Sequence, residues 1–447
     1  MKKFLAIIAV LALTVISTAA MAEVTVSGSV DIRSLHQNNL TDFSDKAPLG
    51  DSSNTTQSRF RLNVDGKHEG VKGRITLEND WEVWGTERNT TSGALLSGKS
   101  TGVEARPGQS GTPANNKFGI REGWIDFQIP GAGPAHVKVG HQFLQLGNGW
   151  FFRSMKYGSD AWLVGLPGKN TIAFVDVKAA ENAATSSDDI DAYVMLDNFK
   201  IDDTKTVGIY IARVADKRNL LFSSFGMGAS GTEADLDTIG LWFNGKLGPL
   251  NLQAEFDYQM GKAKGSGATP DTKFKGNQIV VQGNVALAPA SVNFTVARGT
   301  GDDVNSTSPD VKSYLPILDS DPHYTVVYEY FAPTACGTGS ARTGFKNTGF
   351  CNTTALNLGG SMAFTKWLTA SLDLWYLQAT EKLSDQRGGT TDELGTEIDL
   401  VLKFKLYDQL TWNWQFGTLM AGKAYQGPAG VDADRVDAIQ GILSYKF

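Results

Sequence analysis

Cysteine is almost missing: the 447-residue chain has two, Cys336 and Cys351, both in the polar stretch ACGTGSARTGFKNTGFC. That excludes a disulfide-framework fold, and without a histidine nearby a metal site is not expected. Histidine is scarce too, at five scattered positions, with no H-E-x-x-H pair and no G-x-S-x-G elbow. The motif chemistry of zinc proteases and serine hydrolases is therefore absent, and no enzyme is expected; a Ser–His site built from distant strands is the alternative. C-x-x-C-H does not occur, so the chain attaches no haem, and no cofactor is expected. Basic excess is lacking: 41 Lys and Arg stand against 47 Asp and Glu, and no nucleic-acid partner is expected. Beyond residue 22 no apolar run approaches the roughly 20 residues of a helical span. Sustained three-and-four spacing of apolar residues is missing almost everywhere.

What is present begins with MKKFLAIIAVLALTVISTAAMA: two lysines, a short apolar stretch and small residues ending in Ala20-Met21-Ala22. This is the layout of a secretory signal peptide, so residues 1–22 are expected to be cleaved. A membrane anchor is the alternative, but the apolar core is short. Residues 23–447 contain no linker and no Pro/Ser-rich seam, and are expected to form a single domain.

Period-two alternation fills that domain. In TEIDLVLKFKL, Ile398, Leu400, Leu402, Phe404 and Leu406 share one face, while Glu397, Asp399, Val401, Lys403 and Lys405 share the other. A strand turns successive side chains to opposite sides, so the stretch has a greasy face and a charged face. LTWNWQFGTLM follows across Asp408-Gln409 and reads as its hairpin partner. SRFRLNVDG with VKGRITLEND repeats the pattern. Further hairpins turn at Gly248-Pro249, Pro289-Ala290 and Lys366-Trp367.

Short turns alternate with long polar loops at residues 36–56, 86–116, 303–352 and 381–394. Alternating segments of about ten residues with this asymmetry predict a transmembrane antiparallel up-and-down β-barrel of the outer-membrane type, with short periplasmic turns and long extracellular loops. Hydrocarbon cannot satisfy backbone groups, so a sheet crosses a bilayer only by closing on itself. A secreted β-sandwich or propeller is the soluble alternative. Residues 24–143 predict five strands, 236–302 four and 354–447 five. In the middle, NTIAFVDVK, DIDAYVML and TVGIYIARV are clear and NLLFSSFGM is a doubtful fourth. The preferred total is 18 strands; 16 is the alternative.

The ending AIQGILSYKF alternates to Tyr445 and Phe447 and resembles the C-terminal signal that outer-membrane barrels present to their assembly machinery. That resemblance implies barrel assembly machinery as a partner, through Phe447. VKVGHQFLQLGNGWF, TIGLWFNGKLGPLNLQAEFDYQMG, FTVARGTGDD and LGTEIDLVLKFKLYDQLTW, taken in order, resemble the alginate-export family of outer-membrane β-barrels. The likeness runs from about residue 119 onward. It implies an 18-strand barrel and, less directly, a polyanion cargo. The chain departs from that family's pattern at His141, where Arg is usual, and at Thr300, where Ser is usual.

Charges on the faces assigned to the lumen roughly balance, whereas a conduit for polyuronate needs a dense positive lining. The expected function is therefore a porin: a water-filled channel of the outer membrane for passive diffusion of small hydrophilic solutes and ions. Alginate-like polysaccharide export is one alternative; the barrel sheath of an electron-transfer conduit is another. Expected pore-lining residues are Arg59, Arg61, Lys72 and Arg74 as a basic stripe on one hairpin, with Glu78 and Asp80 beside them. Glu255, Asp257, Glu397, Asp399, Lys403 and Lys405 are expected from other strands. Each of these could equally be a solvated or structurally paired charge. The stretch GNGWFFRSMKYGSDAWLVG, within residues 147–169, is expected either to fold inward as a constriction, with Arg153 and Lys156 at the narrow point, or to pack its aromatics on the inner wall. Cys336 and Cys351 are expected to form a disulfide in the oxidising compartment an exported protein meets; two free thiols are the alternative. Outer-membrane lipid and lipopolysaccharide are the expected surroundings, with association into a homotrimer left open.

Overall fold

The computed structural model describes residues 23–40, 43–44, 52–84, 119–155, 158–181, 188–223, 227–267, 270–316, 323–336, 341, 348–428 and 431–447. The expected signal peptide at 1–22 and the whole of the 86–116 loop lie outside them. So do Lys156 and the side chain of Asp80.

The alternation read from the sequence becomes strand in order. The first nine are β1 (Glu23–Asn38), β2 (Ser53–His68), β3 (Val71–Val83), β4 (Gly119–Gln128), β5 (His136–Gln142), β6 (Ser159–Leu166), β7 (Asn170–Ala180), β8 (Ile190–Asp202) and β9 (Lys205–Asp216). The rest are β10 (Ala234–Leu247), β11 (Leu250–Ala263), β12 (Asn277–Leu287), β13 (Ala290–Gly299), β14 (Thr353–Ala363), β15 (Leu368–Ser384), β16 (Thr390–Lys405), β17 (Leu410–Ala421) and β18 (Arg435–Lys446). A three-residue strand, Thr272–Phe274, pairs with β11 above the stretch where β12 pairs with it, so the two are one interrupted stave. Every neighbouring pair is antiparallel, and β1 pairs with both β2 and β18. The sheet therefore closes into an 18-stave barrel with no free edge. Among the described residues no helix is long and apolar enough to cross a membrane.

The greasy faces point outward. Ile398, Leu400, Leu372, Leu374, Leu356, Leu358, Phe174, Ile209 and Ile211 are all exposed on the outer wall, as a lipid-facing band requires. An outer aromatic run joins Trp367, Phe404, Trp412, Trp414 and Phe416, with successive ring centroids 5.4–6.0 Å apart.

Two expectations need correction. The doubtful fourth strand of the middle region is not NLLFSSFGM. Leu220–Ser223 is a single helical turn that buries Phe222 completely, because its apolar residues are adjacent rather than alternating. The stave is instead SDAWLVGL, β6, which supplies the missing strand and keeps the count at 18. The 381–394 stretch is not a long loop. β15 and β16 run on through it to a hairpin at 385–389, where Asp385 accepts from the Arg387 and Gly389 backbone N–H groups at 2.8 and 2.9 Å. Those bonds, with the nearby Arg387 charge, hold the Asp385 carboxyl below the usual carboxylate range.

Candidate functional site: the constricted lumen

The lumen is not lined evenly. The inner faces of β6–β10 are apolar: Ala161, Ala173, Val175, Val177, Ala192, Val194, Ala212, Val214 and Leu236 are buried. They are covered by residues 144–152, by Phe222, and by Phe274, Tyr314 and Leu315, which form one core with them. A second core lies against β12–β18. There Val326, Val327, Tyr328 and Phe331 pack on Trp375, Leu377, Leu419 and Val436. Two extracellular loops, in residues 143–155 and 323–336, thus turn into the barrel. Trp150 ties them together, its ring 5.0 Å from Phe350 and 6.2 Å from Tyr324. Cys336 and Cys351 are joined by a disulfide at the far end of the second loop, with Cα atoms 5.1 Å apart.

The first loop owes its shape to L-G-N-G. Gly147 has φ +53° and a Cβ there would lie 2.8 Å from Glu255 Oε2, so the turn needs glycine. The turn aims the Asn148 N–H at Glu255 Oε2 (2.5 Å) and the Phe151 N–H at Oε1 (3.3 Å). Beside it, Asp257 accepts from Tyr210 Oη, from Gln278 Nε2 at 2.7 Å and from Tyr314 Oη at 3.4 Å. The second loop repeats the device across the barrel. Val327 N donates to Glu397 Oε1 (2.5 Å), Tyr328 N to Oε2 (2.8 Å) and Val326 N to Asp399 Oδ2 (3.3 Å).

These four carboxylates were expected to face the open channel. They point inward, but Glu255, Asp257 and Glu397 are 0–1 % exposed and Asp399 4 %. The loops roof them; loop amides bond Glu255, Glu397 and one oxygen of Asp399, while Asp257 is bonded by side chains. They anchor the constriction from behind; counting them as lumen charge is therefore a mistake. The stretch 147–169 likewise divides. Residues 147–155 fold inward with Phe151 and Phe152 against the wall and Arg153 exposed, whereas 159–166 is a stave.

The wall left open is β1–β5, and it is arginine-rich. Arg59 Nη2 bonds Asp31 at 3.0 Å, Arg61 bonds Glu78, and Arg121 Nη1 bonds Glu78 at 2.8 Å. The acids sit behind: the side chains of Asp31 and Glu78 are 7 % and 2 % exposed, those of Arg59 and Arg61 20 % and 24 %. Trp81 lies between Arg33 and Arg59, whose guanidinium carbons stand 4.2 and 4.3 Å from its ring centroid. Arg33 has no carboxylate partner among the described residues; it donates to Gln57, to Gln440 Oε1 at 3.3 Å and to Tyr330 Oη at 3.3 Å. Arg121 donates to the Met155 carbonyl. The arginine wall therefore touches both inward loops, Arg121 the first and Arg33 the second, and the three together frame the narrow part of the lumen.

Towards the short-turn rim, Arg74 bonds Asp65 at 2.7 Å and approaches Glu122 at 3.7 Å, and Lys138 Nζ stands 4.1 Å from the Trp124 ring. Lys72 and Lys403 are exposed, and Lys405, also exposed, is bonded to Asp408 at 2.8 Å. The structure thus brings Arg59 and Arg61 together with Asp31 and Glu78, sets Arg74 with Asp65 and Glu122 nearer the short-turn rim, and leaves Lys403 and Lys405 near a turn. Arg121 escapes simple alternation. A register shift opposite Thr76/Leu77 lets it and Glu122 both face inward, the local effect of a β-bulge. Adjacent Arg121-Glu122 before Gly123 was the only hint. His141, the departure from the alginate-export pattern, lies on the outer face and bonds Asp160 at 2.8 Å.

A closed barrel with a lipid-facing band and loops constricting its lumen is an outer-membrane channel. The model of the Gram-negative porin family matches residues 9–366, and the chain belongs to that family. It is an outer-membrane porin, a channel for small solutes. A search of curated proteins found no match. Solved structures share the fold at low identity. A BenF-like porin from Pseudomonas fluorescens Pf-5 aligns with TM-score 0.56 and 12 % identity, over 96 % of this chain and 100 % of that one. OccK5 (OpdH) of Pseudomonas aeruginosa gives 0.51 and 12 %, over 94 % and 98 %. OccK2 (OpdF) of Pseudomonas aeruginosa, solved in complex with glucuronate, gives 0.54 and 11 %, over 95 % and 98 %.

Proposed function

We propose that this porin passes small hydrophilic solutes with a preference for those bearing a carboxylate. The observation that carries the reading is the wall at the constriction. Arg33, Arg59, Arg61 and Arg121 converge there with Asp31 and Glu78, and the acids are the more deeply buried. Charge balance counted along the strands does not survive, since Glu255, Asp257, Glu397 and Asp399 are sealed behind loops. A surplus of guanidinium groups at a narrow passage offers bidentate sites to planar anions. The complex of OccK2 with glucuronate shows that a barrel of this architecture holds a sugar carboxylate.

Polyuronate export, implied by the alginate-export likeness, fits less well, because among the described residues the arginines of the constriction all lie on β1, β2 and β4. A sheath around a haem protein fits poorly, because the protein's own loops fill the lumen. We further propose that residues 1–22 are removed on export, that assembly machinery recognises Phe447, and that the outer wall contacts lipid and lipopolysaccharide.

The test is the reversal potential of single channels in a planar bilayer under a potassium chloride gradient, with glucuronate then added as a carboxylate probe. Anion-side reversal and a brief, concentration-dependent block support the proposal. Cation-side reversal without block overturns it.

A further inference from the structure

The loop 323–336 is held over β16 by an unusual arrangement. Three successive backbone amides, of Val326, Val327 and Tyr328, all donate to the two carboxylates Glu397 and Asp399. Consecutive amides aimed at one point form an anion-binding concavity, here closed on side chains of the protein's own wall. Among the described residues no Lys, Arg or His makes an ion pair with either acid, although both are at least 96 % buried. Two acids this deep without a cation are costly unless other donors satisfy them. The loop amides supply donors to three of the four carboxylate oxygens, leaving Asp399 Oδ1 without one among the described residues, so the acids and the inward position of the loop depend on each other.

The wall beneath is shaped to receive the loop. Gly417 on β17 has its inward side bare, and a Cβ there would stand 2.6 Å from Val326 Cβ and 2.9 Å from Val327 Cγ2. The loop therefore lies flush against backbone. From the same segment Tyr330 reaches Arg33 at the edge of the open passage. Because Tyr330 already touches Arg33, residues 326–328 pushed off β16 while the loop stays folded inward crowd the passage, whereas a loop that loses its anchors and swings out of the lumen opens it.

We propose that Glu397 and Asp399 are positioning residues that set the width of the pore, by fixing residues 326–328 to the wall through backbone amides. The idea rests on the porin fold, not on the carboxylate preference. Its readouts are conductance and size cutoff, whereas that preference is read by reversal potential.

The test uses the full-length protein in planar bilayers. Glu397→Gln with Asp399→Asn keeps side-chain volume but sets amide N–H donors against the loop's N–H groups. Each inserted channel should then show a higher conductance, more open-channel noise and entry of larger neutral polyethylene glycols. A role in barrel stability alone would lower the number of inserted channels and leave each one unchanged. Gly417→Ala should act in the opposite sense, pushing Val326 into the lumen and lowering conductance. Wild-type conductance and polymer cutoff in the double variant overturn the proposal. If the double variant does not insert, Gly417→Ala decides: reduced conductance supports the proposal and unchanged conductance overturns it.

Discussion

Phe447 seats its ring on the bare backbone of Gly28. The two residues exchange backbone hydrogen bonds of 2.9 and 3.1 Å, and a Cβ on Gly28 would stand 2.5 Å from Phe447 Cζ. The same joint recurs where Tyr210 covers Gly240, Phe294 covers Gly283 and Trp414 covers Gly441, the aromatic rescue of glycine in a curved sheet. At Gly28 it completes the seam between β1 and β18. Gly28→Leu should destabilise the barrel by about 1–3 kcal/mol, the usual cost of overpacking, measured by urea unfolding in lipid vesicles. Unchanged stability would mean that the ring has another seat. Deletion of Phe447 should also reduce the amount of protein assembled in the outer membrane.

The outer and inner faces of β16 make a paired prediction. Leu402 faces lipid opposite Trp414, and Val401 faces the lumen opposite Gln415. Leu402→Arg should cost up to about 2–4 kcal/mol, the cost at the bilayer midplane, and less the nearer it lies to the interface, whereas Val401→Arg should fold with little loss. Equal losses at both positions in the same vesicle assay would contradict the register.

The arginine wall can be tested without touching either loop anchor. Replacing Arg59 and Arg61 with Ala removes the partners that Asp31 and Glu78 have on β2. Reversal potentials should move towards cations. The shift should shrink with salt, because the screening length falls from about 10 Å at 0.1 M to about 3 Å at 1 M. A shift of the same size at both salt concentrations would point to altered pore shape instead of charge.

Reduction of Cys336–Cys351 should loosen the end of the second inward loop. The bridge closes a sequence separation of 15 residues, and chain entropy assigns a loop of that size about 3 kcal/mol. Reductant, or Cys336→Ser with Cys351→Ser, should lower the unfolding midpoint and increase current noise. The barrel itself should remain assembled, since its ladder does not include the bridge. Silent currents after full reduction would show that Tyr328 and its neighbours hold the loop unaided.

Gly147→Ala should disturb the first loop alone. Its φ of +53° disfavours any side chain, and the new Cβ meets Glu255. The left-handed conformation costs about 1–2 kcal/mol for a non-glycine residue. Conductance should become noisier with little change in the amount of folded protein. Quiet, wild-type currents would show that Asn148 and Phe151 reach Glu255 by another turn.

The sequence by itself determined the barrel. Alternation is a local property: the side-chain period of a strand and the solvent on each side are written in runs such as Ile398 to Leu406, and short turns such as Gly248-Pro249 mark one rim. It also determined that Arg59, Arg61 and Arg74 share a face with Glu78, because they lie on one hairpin. Only the tertiary structure decided what the inward face looks out on. Alternation cannot tell whether Glu397 meets water or the amides of a loop some 70 residues earlier, since both need a polar residue at that position. Nor could it place Arg121, which a bulge turns inward, or choose between SDAWLVGL and NLLFSSFGM, short segments whose fate depends on the strands and loops beside them. The scaffold follows from local pattern, and the pore from which loops enter it and what they cover.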